Sequence, residues 1–301
     1  MLFARHSAKH APMTEPPSTY LAPKLALSRA ALRPKKSFGQ NFLLAEDVLR
    51  DIALAATDGL PGATIVELGA GTGALTQALL KRGAKVVAVE RDRDLLPLLG
   101  AQFEHEIIAG RVQLVEGDAQ EVDSVQLAGS GLKILTGNLP YQITGSLIEK
   151  AVREAPAWSR AVFMVQLEVA DRMVAAPDTE AYGALSVFVQ AAYAVTRLRV
   201  VPPACFLPPP NVTSAVIVLR PHAVPRALET DMFRSLVKLA FGQRRKTLRN
   251  AWKNAGDSTS VASSAETAGI SLNARGETLS VEDFARMATE LSICVHSALS
   301  A

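Results

Sequence analysis

The strongest constraint on the fold is an alternation of short apolar segments with stretches of helical spacing. Five segments are rich in Val, Ile and Leu: residues 64–68, 85–89, 112–115, 132–136 and 161–165. Between them, apolar residues recur with helical spacing over residues 74–82, 93–103 and 144–155. Strands that are apolar at almost every position are typical of a parallel sheet covered by helices on both faces. The predicted fold class is therefore α/β.

The pattern changes towards the C-terminus. A helix over residues 182–194 and a strand over 213–219, which could close the edge of the sheet, come before the change. Beyond it we predict helices at 233–241, 244–254 and 281–293, with a Ser- and Gly-rich loop at 256–264. The proline-interrupted, basic segment 1–34 has no sustained period and predicts a flexible arm. The predicted domains are this arm, an α/β domain over 35–222 and an all-helical domain over 223–301.

Charge is concentrated rather than spread. The formal net charge is only +3, yet residues 232–256 carry seven Lys and Arg with no Asp or Glu. Such a tract fits either a phosphate-binding surface or a solvated helix face, and charge alone does not separate the two. We select Arg244, Arg245, Lys246 and Arg249 as candidate residues for binding nucleic-acid phosphates. In a helix over 244–254, Arg245 and Arg249 would share one face.

Composition excludes several classes of protein. The two cysteines have no metal-binding or paired spacing and the five histidines are scattered, so we expect no metal site. The long uncharged stretch 200–219 contains five prolines, which rules out a membrane-spanning helix. We therefore expect a cytoplasmic protein with no membrane partner. An organellar targeting role for the N-terminal arm stays open.

A glycine-rich turn follows the first strand. Gly69, Gly71 and Gly73 allow a sharp turn and the close approach of a ligand at the carboxyl end of the strand. Gly69, Gly71 and Ala74 also fit the dinucleotide-binding spacing, so these glycines alone leave a nicotinamide or flavin cofactor open. Two features favour S-adenosyl-L-methionine. The Glu67 carboxylate would crowd a pyrophosphate, and the alternating glycines resemble a methyltransferase loop.

Acidic residues follow the next two strands. Glu90 ends the second strand, where a carboxylate can accept hydrogen bonds from ribose hydroxyls. Asp118 lies just beyond the third strand, in place to accept from an adenine amino group. Either acid alone could be a surface or capping residue. Their recurrence at successive strand ends favours a cofactor site.

The segment Asn138-Leu139-Pro140-Tyr141 follows the fourth strand. An exocyclic adenine amine is a poor nucleophile because its lone pair is delocalised into the ring. The Asn138 side-chain oxygen and the Leu139 carbonyl could accept its two hydrogens and localise the lone pair, while Pro140 stiffens the turn. Tyr141 could stack on the extracted base. The motif predicts amine methylation by orientation and hydrogen bonding, without a strong general base.

Together these motifs resemble the ribosomal RNA adenine dimethyltransferase family, and within it the bacterial small-subunit (16S) branch, from about residue 33 to the C-terminus. The resemblance rests also on three further segments: residues 37–43, 206–216 and 241–250. It implies a Rossmann-like methyltransferase sheet, a lid that closes over the cofactor through Asn41 and Leu43, and Phe206 helping to hold the target base. It assigns Asn138 to cofactor binding as well. Gln142 and Asn211 depart from the usual Asn and Lys of the family.

The resemblance implies an enzyme that dimethylates the N6 amines of two adjacent adenosines in 16S rRNA. It would act as a monomer on the small ribosomal subunit or its precursor, and so contribute to ribosome biogenesis. Three alternatives stay open: a 23S rRNA methyltransferase of the macrolide-resistance type, an assembly factor with secondary catalysis, and a mitochondrial relative that serves in transcription. A nicotinamide oxidoreductase would need a catalytic His or Tyr-Lys pair, which the strand-end segments lack.

Overall fold

The computed structural model of the protein describes residues 20–243 and 245–299, with side chains described up to residue 294. The strands are β1 (Phe42–Leu43), β2 (Thr64–Leu68), β3 (Lys85–Glu90), β4 (Val112–Glu116), β5 (Lys133–Asn138), β6 (Arg160–Gln166), β7 (Tyr193–Val201), β8 (Phe206–Leu207) and β9 (Ser214–Pro221). The helices are α1 (Pro23–Arg29), α2 (Glu46–Thr57), α3 (Ala74–Lys81), α4 (Leu96–Gln102), α5 (Glu104–Ile108), α6 (Ser124–Ala128), α7 (Thr144–Arg153), α8 (Leu167–Val174), α9 (Ala184–Ala192), α10 (Asp231–Gly242), α11 (Leu248–Ala251), α12 (Ser258–Thr267) and α13 (Val281–Leu299).

Over the described residues, seven strands form one sheet in the order β4-β3-β2-β5-β6-β9-β7. The pairs among β2, β3, β4, β5 and β6 are parallel, whereas β9 pairs antiparallel with both β6 and β7. Strand order reverses between β2 and β5, because β3 and β4 lie on one side of β2 and β5 and β6 on the other. In open α/β sheets a ligand crevice lies at this point, beyond the carboxyl ends of the strands. The predicted α/β class is confirmed.

The apolar strands are buried on both faces. Neighbouring residues on a strand point to opposite sides of the sheet. Accordingly, Ile65 belongs to the buried cluster on one face and Val66 to the cluster on the other. Helices α2 and α3 contribute to the first cluster, and α7 and α8 to the second. Most positions of the central strands therefore carry apolar side chains, which is the pattern in the sequence.

The edge of the sheet differs from the prediction. The predicted edge strand, observed as β9, lies inside the sheet, and the edge is β7, which the sequence did not predict. The predicted helix over 182–194 ends at Ala192 because Tyr193 begins β7. An edge strand is half exposed and carries charge, as β7 does at Arg197 and Arg199. Arg199 pairs with Asp47 and, at 2.7 Å, with Asp51 of α2, which ties the edge to the helix layer.

The C-terminal segment is helical, although two details of the prediction are wrong. The predicted loop over 256–264 contains the start of α12, because the Asp257 carboxylate caps the helix through the backbone N–H groups of Thr259 and Ser260. Val261 and Ala265 bury one face of that helix. The predicted helix over 244–254 shortens to α11. The N–H groups of Leu248 and Arg249, the first two residues of α11, donate to the carbonyls of Ala274 and Leu272 in the loop before α13, and not to a preceding helical turn.

This shortening changes the expected arrangement of the basic residues. Arg245 and Lys246 lie in the turn before α11, and Arg249 lies within the helix. The expectation that Arg245 and Arg249 share a helix face is therefore wrong. Both side chains are exposed, as is Lys246. Arg244 lies outside the described residues.

The N-terminal segment is more ordered than predicted. Residues 1–19 of the predicted flexible arm lie outside the described residues. From Tyr20 the chain packs on the α/β body, and α1 buries Ala26 and Leu27. The prediction is therefore wrong for residues 20–34, because a few apolar residues anchor them despite the neighbouring prolines. No helix in the described ranges is both long and apolar enough to cross a membrane.

Candidate active site

A cleft opens at the carboxyl ends of β2, β3 and β5, where the strand order reverses. It encloses about 700 Å³, part of it open to solvent. Predicted site residues that line it are Asn41, Gly69, Gly71, Glu90, Asp118, Asn138, Leu139, Pro140 and Tyr141. Parallel strands place their ends at one edge, which explains why residues so distant in sequence meet here. Leu43, Gly73 and Phe206 are predicted site residues that do not line this cleft.

The glycines of the turn have different roles. Gly69, Gly71 and Gly73 have φ angles of 75°, 59° and 79°, in the left-handed region that favours glycine. A Cβ on Gly69 would meet no atom within 4 Å, so the space beside the turn is open to a ligand. A Cβ on Gly73 would instead overlap the buried ring of Phe103. Gly73 is therefore required for packing behind the turn, and the prediction that it binds the cofactor has no direct contact to support it.

Glu90 fixes the glycine-rich turn through a hydrogen bond from its backbone. Its Oε2 accepts a hydrogen bond from the Gly71 N–H at 2.7 Å, and its Oε1 accepts from the Asp92 N–H at 2.8 Å. Its side chain is almost fully buried, and this burial raises the pKa of the carboxyl group. Two backbone donors fix the group, and part of it still lines the cleft. Glu90 is thus in place to accept further hydrogen bonds from a ligand.

Glu67 does not face the cleft. Its side chain is only 2% exposed, and its Oε2 accepts a hydrogen bond from the Thr76 hydroxyl at 2.5 Å. The sequence argument that Glu67 would crowd a pyrophosphate is therefore wrong, because the carboxylate points into the packing between β2 and α3. Burial raises the pKa of Glu67 from 4.5 to about 8.

This burial predicts a pH dependence of stability. The folded protein keeps the Glu67 proton up to about pH 8, whereas the unfolded chain loses it near pH 4.5. Folding therefore becomes less favourable as the pH rises through that window, by up to about 1.4 kcal/mol per pH unit. We expect Glu67→Gln to gain stability relative to the unmodified protein between about pH 5 and pH 8. Denaturant unfolding at several pH values measures this. The control is Glu104→Gln at an exposed position, and equal slopes for both variants would contradict the prediction.

A lid, defined as residues 35–43, covers one side of the cleft. Asp92, after β3, accepts hydrogen bonds from Lys35 Nζ at 2.5 Å and from Gln40 Nε2 at 2.7 Å. Lys35 also pairs with Asp94 at 2.6 Å. Phe38 of the lid lies under the Arg91 guanidinium, which is 4.7 Å from the ring centroid. Four connections thus hold the lid against the chain that follows β3.

Sequence reasoning missed these partners of the lid. Glu90 was the last residue of this strand end to be predicted as a site residue. The next residues, 91–94, alternate basic and acidic side chains directly after the strand. That alternation is the signal that could have marked the segment. Arg91 also pairs with Asp118 at 3.0 Å, so one guanidinium joins the lid to the predicted adenine-binding acid. Leu43, at the end of the lid, packs into the core, and its pairing partner is Phe206.

The segment that begins at the end of β5 is fixed on both sides. Asn138 Nδ2 donates to the Asn41 carbonyl of the lid at 2.8 Å, which leaves the side-chain oxygen of Asn138 to accept from a ligand. The Leu139 N–H donates to the Met164 carbonyl at 3.1 Å. The Tyr141 hydroxyl lies 2.7 Å from the hydroxyl oxygen of Ser214, and the tyrosine lines the cleft. This geometry offers the Asn138 side-chain oxygen as an acceptor beside an anchored aromatic residue, and Leu139 lines the same wall.

Phe206 occupies a different place from the predicted one. Its side chain is 2% exposed and belongs to the same buried cluster as Leu43 and Val216. It supports the lid strand β1 through antiparallel pairing of β1 with β8. The ring is enclosed in the core and does not line the cleft. No contact in the structure therefore tests a role in stacking on the target base, which stays a prediction.

Comparison with known proteins identifies the family of the chain. Residues 31–292 match the sequence model of the ribosomal RNA adenine dimethylase family. The chain belongs to this family. The ribosomal RNA small subunit methyltransferase A of Anaeromyxobacter sp. (strain K) is 43% identical over 282 residues, which cover 89% of this chain and 97% of the relative. The protein of the same name from Thermosynechococcus vestitus is 42% identical over 259 residues, covering 84% and 95%.

Solved structures agree on the fold. A dimethyladenosine transferase from Plasmodium falciparum superposes with a TM-score of 0.69 at 24% identity, covering 84% of this chain and 98% of that one. The 23S rRNA methyltransferase ErmE superposes with a TM-score of 0.62 at 25% identity, covering 84% and 100%. The predicted Rossmann-like methyltransferase sheet and the membership of the adenine dimethylase family are confirmed.

Proposed function

We propose that this chain transfers methyl groups from S-adenosyl-L-methionine to the N6 amines of two adjacent adenosines in 16S rRNA. The observation that carries the proposal is the wall formed by Asn138, Leu139 and Tyr141. It combines hydrogen-bond acceptors for an amine with an aromatic residue beside an open cleft. Family membership over residues 31–292 supports the same chemistry.

The residues of the cleft fit the proposed cofactor. Gly69 leaves open space beside the turn, Glu90 offers a fixed carboxylate and Asp118 lines the same cleft. When bound, S-adenosylmethionine supplies an electrophilic methyl group on sulfonium. Glu90 would accept from the ribose hydroxyls, and Asp118 from the adenine amino group. The lid residue Asn41 would cover the ligand, and Asn138 would contact it as well.

The target amine needs orientation more than deprotonation. The free oxygen of Asn138 and the carbonyl of Leu139 would accept the two N6 hydrogens, which directs the nitrogen lone pair towards the methyl group. Hydrogen bonding of Tyr141 to Ser214 fixes the ring against which the extracted base would stack. Burial raises the pKa of Tyr141, so the phenol stays neutral and does not act as a base.

The choice of substrate rests on the relatives. ErmE, a 23S rRNA methyltransferase, shares the fold, so the fold does not separate small-subunit from large-subunit RNA. Relatives at 42–43% identity over most of this chain carry the small-subunit name, which favours 16S rRNA. We propose the small ribosomal subunit or its precursor as the partner, and residues 223–301 as the rRNA-binding domain.

The lid contacts predict a selective effect on cofactor affinity. Asp92 is 2% exposed and accepts from both Lys35 and Gln40, so Asp92→Asn should loosen the lid. We expect KM for S-adenosylmethionine to rise about tenfold with kcat nearly unchanged. Asp94→Asn is the matched control, because Asp94 also pairs with Lys35 but is 57% exposed. Steady-state kinetics measures both, and equal KM values would contradict the role of Asp92.

The basic turn predicts a salt-dependent effect. Arg245 and Arg249 are exposed near the start of α11 and are proposed to contact phosphates, together with Lys246 and Arg244. Alanine at Arg245 should weaken binding to the small subunit and lower the slope of log K against log salt by about one. Lys85→Ala is the control, because this exposed lysine begins β3 at the opposite end of the sheet from the cleft. An unchanged slope would remove Arg245 from the interface.

The deciding experiment uses undermethylated ribosomal subunits. The protein is incubated with S-adenosylmethionine and either small or large subunits, and methylated nucleosides are quantified by mass spectrometry. Dimethyladenosine with small subunits only is the expected result. Dimethyladenosine with large subunits only would shift the assignment to a 23S rRNA methyltransferase. Cofactor binding without methylation of either particle would favour an assembly factor with secondary catalysis.

A further inference from the structure

An N-terminal segment of the chain, which does not line the cleft, is connected through other side chains to residues 71–73 of the glycine-rich turn. We call residues 20–32 the N-terminal brace. They comprise α1 and its flanking turns, and none of them lines the cleft. The match to the family model begins at residue 31, so nearly all of the brace lies outside the matched residues. Three separate contacts connect the brace to Gly71, Thr72 and Gly73.

The first contact is an aromatic stack. The Tyr20 ring stacks on Phe103 with centroids 6.2 Å apart and planes inclined by 25°. Phe103 is fully buried and fills the space that a Cβ on Gly73 would occupy. Tyr20 therefore covers the ring that sets the position of Gly73.

The second contact is a relay of hydrogen bonds. The Leu21 N–H donates to Gln102 Oε1 at 2.7 Å, and Gln102 Nε2 donates to the Thr72 carbonyl at 3.0 Å. Gln102 is 5% exposed, so its bond to Thr72 is buried and its bond to Leu21 is partly buried. A buried amide with both ends satisfied fixes the distance between the brace and the turn.

The third contact is apolar. Leu27 of α1, Phe42 of the lid and Leu95 share one buried cluster. Phe42 in turn lies against Gly71, where an added Cβ would be 3.1 Å from the ring. Leu27 therefore supports the lid strand and the turn through the same phenylalanine.

We propose that the N-terminal brace is a positioning element of the cofactor site, which holds the glycine-rich turn and the lid in their binding conformation. Its residues would act without touching the cofactor, because none of them lines the cleft. They act through Phe103, Gln102 and Phe42, and a turn held in place in advance costs less ordering free energy when the ligand binds. The inference rests on the proposed function, because it requires that the cleft bind S-adenosylmethionine or its product.

The test compares two leucines of α1 in the full-length chain. Leu27 is 4% exposed and belongs to the buried cluster that contains Phe42, whereas Leu25 is 47% exposed on the same helix. Leu27→Asp should detach the brace, and Leu25→Asp should leave it docked. Calorimetric titration with S-adenosylhomocysteine, well below the melting temperature, measures Kd. We expect Kd to rise about tenfold for Leu27→Asp and to stay within about twofold for Leu25→Asp.

A second variant separates positioning from general stability. Gln102→Leu keeps the buried volume near Phe103 but removes the relay from Leu21 to Thr72. It should also raise Kd, and its effect should not add fully to that of Leu27→Asp, because both act on one turn. If Leu27→Asp fails to fold, as judged by circular dichroism, Gln102→Leu alone decides.

The outcomes separate the two claims. A lower melting temperature for Leu27→Asp, with Kd equal to that of Leu25→Asp, would overturn the positioning role and leave α1 a purely stabilising element. If Leu27→Asp does not fold, an unchanged Kd for Gln102→Leu would likewise overturn the positioning role. If the unmodified chain does not bind S-adenosylhomocysteine, the proposed function itself fails, and with it the inference.

Discussion

Asn138→Ala is expected to lower the rate of methyl transfer by at least about a hundredfold, measured in a single turnover at saturating S-adenosylmethionine. The variant loses the side-chain oxygen that would accept one N6 hydrogen of the target adenine. Removal of one well-placed polar group from a reacting centre has effects of this size in other enzymes. Binding to the small ribosomal subunit should stay unchanged, because Asn138 lines the cleft, whereas Arg245 and Lys246 of the basic turn do not.

Asn138 also donates to the Asn41 carbonyl, so its loss could act through the lid alone. The matched control is Asn41→Ala. This variant keeps the backbone carbonyl but removes the side-chain bond from Asn41 Nδ2 to the Gly39 carbonyl at 3.1 Å. It should raise KM for the cofactor and leave the saturated single-turnover rate within about threefold. If Asn41→Ala slows the saturated step as much as Asn138→Ala, the amine-orienting role of Asn138 is wrong.

Particle binding separates catalysis from assembly. An Asn138→Ala protein that binds the small subunit normally but does not methylate it would assign the two tasks to different surfaces. If binding and methylation fall together, the cleft would itself be part of the particle interface. The proposed separation between residues 35–222 and residues 223–301 would then be wrong.

The sequence predicted the parts of the fold that follow from local pattern. Both faces of the sheet are covered, so strands such as β2 and β6 are mostly apolar and are recognisable from residue type alone. Strand β7 was not predicted because an edge strand pairs with only one neighbour and carries partly exposed arginines, so it lacks a continuous apolar pattern. Helix α12 was not predicted because the Ser- and Gly-rich composition is typical of a loop. The Asp257 cap and two buried side chains stabilise a helix there.

The site was predicted where one short segment carries the chemistry. Asn138-Leu139-Pro140-Tyr141 is contiguous, and its position after a strand follows from the alternation of strands and helices. Partners that lie far apart in sequence could not be paired in this way. Lys35 meets Asp92, and Leu21 meets Gln102, across 57 and 81 residues respectively. Such pairs depend on how the lid and the brace fold back over the sheet, which no local pattern specifies.

Gly137 connects the fold to the site and carries the second large expected effect. It lies in β5 directly before Asn138, at the centre of the sheet. A Cβ there would be 2.5 Å from the carbonyl oxygen of Leu68, at the end of β2, and 3.2 Å from Leu139 Cδ2. Neither backbone can move freely, because each of these strands is paired on both sides. The glycine is therefore required by the close approach of two central strands.

Gly137→Ala is accordingly expected to cost about 3 kcal/mol of unfolding free energy, at the upper end of the range for overpacking a core. The melting temperature should fall by about 6 °C or more for a chain of this size. Whatever shift relieves the clash must displace Asn138, so methylation should fall further than stability alone requires. The control is Gly145→Ala in α7, where an added Cβ meets no atom within 4 Å and alanine favours the helix. Calorimetry should find this control at least as stable as the unmodified protein. If Gly137→Ala is equally stable, the close approach of β2 and β5 does not constrain residue 137.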